Sequence, residues 1–170
     1  MKTTGWALKE AIKEHELRRD TAARSFNGTL KAFADDQKQK PQEVVDEFLA
    51  RERSIAALQV AQAEYNLKVR VKYDGRDTTL CEAVKLIGGL GRAEKMYRSA
   101  TGAKPDRYAS YSDTDVRDPK QERAKETISP KEAAALASAQ ARVAGRLRAA
   151  IATGNGTEVE IESLSPALFE

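Results

Sequence analysis

The residues of this chain best suited to chemistry are cations and tyrosines in its second half. Arg92 closes a glycine-rich stretch, GGLGR at 88–92, Lys95 and Arg98 follow it, and Arg107, Tyr108 and Tyr111 lie a little further on, with Lys104 and Arg117 beside them. Guanidinium, ammonium and phenol groups in such company suit phosphates and flat rings, through charge-assisted hydrogen bonds and stacking. The glycines leave two readings open. They can bend or closely pack a helix, or they can form a turn whose backbone N–H groups face an anion. They do not make a nucleotide motif of a known type: a Walker loop needs G-x-x-x-x-G-K-[ST] and a dinucleotide fingerprint needs G-x-G-x-x-G, each after a strand.

The remaining inventory is thin. The one histidine, His15, falls on an apolar helix stripe and is expected to sit in a core or interface. The one cysteine, Cys81, opens a helix among apolar neighbours, where a plain buried thiol is expected. One histidine and one cysteine make neither H-E-x-x-H nor a zinc knuckle. Asp113, Asp115 and Asp118 have loop spacing but lack the glycine and distal glutamate of a calcium loop. No metal or cofactor is expected, and without an acid–base constellation no enzyme.

The elements that must position these groups are mostly helices. The chain has 170 residues, 32% charged and only 6% aromatic, with a formal net charge of +3. Length predicts a single domain over 1–170, and the composition is that of long helices. One cysteine fits a reducing compartment, and Glu10 and Glu14 come too early for a signal peptide, so a cytoplasmic protein without membrane contact is expected.

The apolar period predicts a first helix over about 4–37 through Leu8, Ile12, His15, Ala22, Phe26, Leu30 and Phe33, with Asn27 and Gly28 as its weak point. A second helix follows from Pro41 through Val44, Phe48, Ile55, Leu58 and Tyr65. The two predict an antiparallel helical hairpin over 4–66. Alternation then predicts a strand over 67–73, basic on its polar face, and another over 157–163, acidic on its polar face. Their opposite charges predict that they pair with each other. Between them come a helix over 79–100, capped by Thr79 and Glu82, a polar loop over 101–127, and a helix over 129–153, capped by Ser129 and Glu132. The expected fold is mainly α, a four-helix bundle built on the long hairpin, with one small two-stranded β element.

The layout resembles the septicolysin-like family of small helical proteins, some of which form closed rings. The residues that carry the likeness are Asn66, Gly75, Leu80, Glu82, Ala83 and Asn155. The resemblance implies assembly and no particular activity. The leading expectation is a non-enzymatic homo-oligomer, in a ring on the strength of that likeness, holding an anionic ligand such as a nucleotide at subunit junctions through the cations and tyrosines named above. A protein-interaction scaffold without a small ligand is the alternative. Weak nucleic-acid binding through Lys68, Arg70, Lys72, Arg92 and Arg98 is a third reading.

Overall fold

Apolar residues three and four apart recur through most of this chain, and a helix puts such residues on one face. The computed structural model of the protein describes residues 1–31, 39–101 and 128–169. It is mainly helical, with four α-helices among the described residues: α1 (Gly5–Lys31), α2 (Pro41–Lys68), α3 (Leu80–Thr101) and α4 (Pro130–Asn155). Four short strands accompany them: β1 (Lys2–Thr3), β2 (Arg70–Tyr73), β3 (Arg76–Thr79) and β4 (Val159–Glu160). The chain divides into two compact units, Met1–Ala83 with Ala149–Glu170, and Val84–Arg148.

In the first unit α1 and α2 form an antiparallel hairpin. Leu8, Ala11, His15 and Ala22 of α1, and Val44, Ile55, Leu58 and Tyr65 of α2, are buried. Asn27 and Gly28 do not break α1, and Leu30 falls off its buried stripe, while Phe33 lies outside the described residues. Pro41 opens α2 at the position where a missing N–H costs nothing, and the Lys40 N–H donates to Glu43 Oε2 at 3.1 Å. At its other end α2 continues through Leu67 and Lys68, which were expected in a strand. The Glu64–Lys68 pair, four residues apart with Oε1 and Nζ at 2.7 Å, favours that last turn.

Tyr65 ties this unit together. Its buried hydroxyl lies 2.7 Å from both the Gly154 and the Thr157 carbonyl oxygens, so the end of α4 is held against α2. The chain enters α1 beside it through Gly5. A methyl group there would meet Asn155 Oδ1 at 2.5 Å and Tyr65 Cε1 at 2.9 Å, so only glycine fits without a shift.

The strand pairing differs from the sequence expectation. β2 pairs with β3 and β4 pairs with β1, both antiparallel, so the basic and acidic segments are not ladder partners. Asp74 and Gly75 are the reason: both have positive φ, +48° and +73°, and they form a two-residue turn that folds β2 directly onto Arg76–Thr79. Local closure through two residues is cheaper than pairing across ninety or so. The acidic strand still meets a cation, since Lys2 stands opposite Glu160. Lys68 also reaches that segment, donating to the Glu160 carbonyl at 3.1 Å.

Both later helices start as expected. The Glu82 N–H donates to Thr79 Oγ1 at 3.1 Å, and the Thr78 hydroxyl donates to the Glu82 carboxylate. Ser129 and Glu132 exchange bonds in a complete capping box, with Pro130 in the first turn. The Ser129 N–H and hydroxyl hold the Glu132 carboxyl below the usual carboxylate range. In the second unit, the buried positions of α4 are Ala133, Ala137, Ala144 and Leu147. Leu136 is exposed. Alanines and one leucine make up the covered face.

Candidate anion-binding face

The glycine-rich stretch is helical. α3 runs without interruption from Leu80 to Thr101, so the N–H groups of residues 88–91 bond to carbonyls within the helix and are not offered to an anion. Among the described residues nothing packs closely against them. A methyl on Gly89 or Gly91 would meet nothing within 4 Å among the described residues, and one on Gly88 would meet only Arg92 Nη1, at 3.5 Å. What Gly88 leaves is room for the Arg92 side chain alongside it.

Helical spacing sorts the cations. Lys85, Gly88, Arg92, Lys95 and Ser99 recur at three and four residues, which places them on one face, and all are exposed. No ion pair to Lys85, Arg92 or Lys95 is formed among the described residues. Arg98 points elsewhere around the helix and pairs with Glu94 at 2.8 Å. The structure therefore groups Arg92 and Lys95, adds Lys85, and sets Arg98 apart. Lys85 could have been found in the sequence from its seven-residue step to Arg92. Arg107, Tyr108 and Tyr111, with Lys104 and Arg117, lie outside the described residues, as do Asp113, Asp115 and Asp118.

Two of the three cations of the expected basic strand are engaged, and Lys72 forms no ion pair among the described residues. Arg70 pairs with Asp77 at 3.2 Å, and Lys68 is held by Glu64. The charge is also unevenly divided. The described residues of Val84–Arg148 carry eight Lys and Arg against two Glu, Glu94 and Glu132. Both carboxylates are engaged, one by Arg98 and one by the Ser129 cap. The described residues of the first unit carry fourteen Lys and Arg against fifteen Asp and Glu.

His15 is buried, as its place on the stripe led one to expect. Its Nε2 lies 3.1 Å from the Leu168 carbonyl oxygen and its Nδ1 lies 3.4 Å from Arg51 Nη1. That arrangement assigns the ring proton to Nε2 and makes Nδ1 the acceptor. Beside it a cavity of about 240 Å³ is lined by Ala7, Glu10, Ala11, Glu14, Leu168 and Phe169, among others. Cys81 is half-buried with a free thiol. Among the described residues no group of three His, Cys, Asp or Glu could hold a metal ion, and no helix is long and apolar enough to cross a membrane.

Comparison with known proteins adds no relative: no family model, curated protein or solved structure matches the chain.

Proposed function

We propose that this chain is a non-enzymatic protein that holds a phosphate-bearing anion on the exposed face of α3 and assembles with copies of itself. One observation carries the reading: Lys85, Arg92 and Lys95 share an exposed helix face on which no carboxylate among the described residues answers them. Side chains left in this way are ready to neutralise an anion and lose no existing pair by doing so. Three cations on one helix face make an open half of a site. A nucleotide phosphate held there gains further donors from a second copy, which supports a ligand at a junction between subunits. The likeness in layout to septicolysin-like proteins supports the assembly half of the reading.

The test is thermal unfolding in the presence of nucleoside mono-, di- and triphosphates and inorganic tripolyphosphate. A ligand bound only to the folded state adds about 2.7 kcal/mol at a hundredfold excess over its dissociation constant. The melting temperature should rise with ligand concentration, and Arg92→Ala or Lys95→Ala should remove the rise while leaving the free protein as stable as before. A melting temperature that no phosphate compound moves at millimolar concentration would leave the scaffold reading in its place.

A further inference from the structure

We infer that the polyanion this protein meets is a nucleic-acid duplex, gripped through its phosphates by exposed cationic faces of α3 and α4 without regard to sequence. The inference rests on the anion-binding reading above and names its ligand class. It starts from a second helix face. On α4, Lys131, Ala135, Ser138, Arg142 and Gly145 recur at four and three residues, and all are exposed. This is the pattern of the α3 face, Lys85, Gly88, Arg92, Lys95 and Ser99. On α3 Gly88 separates Lys85 from Arg92, with Lys95 beside it, and on α4 Ala135 and Ser138 separate Lys131 from Arg142; neither face holds a carboxylate.

Small residues between cations let a helix lie close to a rail of phosphates while Lys and Arg reach out along it. A single small phosphate could use only one such face, whereas a ligand with many phosphates can use both. The surplus of cations among the described residues of Val84–Arg148, against near balance in the first unit, fits a ligand of repeated negative charge. The side chains that are missing narrow the class. Neither face carries an aromatic residue on which an unpaired base could stack, which disfavours single strands. Neither carries Asn or Gln for a bidentate bond to a base edge, so backbone contact without sequence readout is what these faces can perform.

The experiment is fluorescence anisotropy of the whole protein with two duplexes of unrelated sequence, titrated over a range of salt. Both duplexes should bind with equal affinity at low salt, and the logarithm of the binding constant should fall linearly with the logarithm of salt concentration, by about 0.9 for each phosphate neutralised. The double variants Lys85→Gln/Arg92→Gln and Lys131→Gln/Arg142→Gln should each flatten that slope by about 2 while leaving the melting temperature unchanged. Inorganic tripolyphosphate, followed by thermal shift, separates the two proposals. Stabilisation by tripolyphosphate without duplex binding would overturn the duplex inference and leave the anion-binding reading standing. Duplex binding whose slope neither double variant moves would also overturn the inference, and a protein that answers neither ligand would remove both readings.

Discussion

Tyr65 shows how one side chain can decide a region. Its ring is fully buried, its hydroxyl serves two carbonyl oxygens at 2.7 Å, and burial pushes its ionisation above the usual phenol range. Tyr65→Phe removes the single O–H that the Gly154 and Thr157 carbonyls share, and should cost about 1–3 kcal/mol in a denaturant melt. Gly5→Ala should cost a similar amount, about 1–3 kcal/mol, through overpacking against Asn155 and Tyr65. Glu64 sets a pH dependence. Lys68 first, then the Ser163 hydroxyl and the Glu162 N–H, bring its carboxyl down from 4.5 to about 2. A carboxyl whose folded pKa lies below its unfolded value adds stability above the unfolded value and loses it as pH falls towards the folded one. Wild type should therefore melt a few degrees above Glu64→Gln at neutral pH, and the gap should close between pH 4.5 and about pH 2. A gap that persists at the acid end would mean that the carboxylate charge is not what Glu64 contributes.

The elements were legible in the sequence wherever the signal was local. Thr79 with Glu82, Ser129 with Glu132, and Pro41 all open helices, because caps and first-turn prolines act over one turn of chain. The hairpin stripe through Val44, Ile55, Leu58 and Tyr65 was equally plain. Strand pairing was not legible from charge, because many segments can satisfy a charge rule and only one lies next to a two-residue turn. Asp74–Gly75 is a turn signal, but Arg76–Thr79 lacks the apolar alternation that marks a strand. At the candidate site, Arg92 and Lys95 could be read from residue type. That the GGLGR glycines would stay helical could not, since propensity argues against it by up to about 1 kcal/mol per glycine and context overrides propensity. The β1–β4 pair offers a test at this scale. Glu160→Lys should destabilise the protein by setting like charges across from Lys2, by roughly 0.2–1 kcal/mol, and Lys2→Glu in the same chain should restore much of the loss. Rescue by Arg70→Glu instead would revive the pairing expected from the sequence.

At the scale of the whole molecule, α2 has a second face that no described residue covers. Leu49, Arg53, Ala56, Val60, Ala63 and Leu67 step by four and three along it, opposite the face that meets α1, and all are exposed, Val60 and Leu67 by more than 60%. That period is the one a coiled-coil seam uses. It is also self-complementary. With two copies of α2 antiparallel about a two-fold axis near Leu58, Leu49 meets the partner's Leu67, Ala56 meets the partner's Val60 and Arg53 meets the partner's Ala63. At the centre of the seam each larger side chain thus meets a small one, as close packing of two helices requires, and the same patch serves both copies. The proposed assembly is therefore expected to use this face. Light scattering at micromolar concentration should give a mass above the 18.7 kDa of one chain, and Val60→Glu should reduce it to that value by burying a carboxylate against its own copy. Leu17→Glu, at an equally exposed leucine on α1, should leave the mass unchanged. A wild-type protein that already scatters as 18.7 kDa would remove the assembly reading, and with it the completion of an α3 site by a second copy.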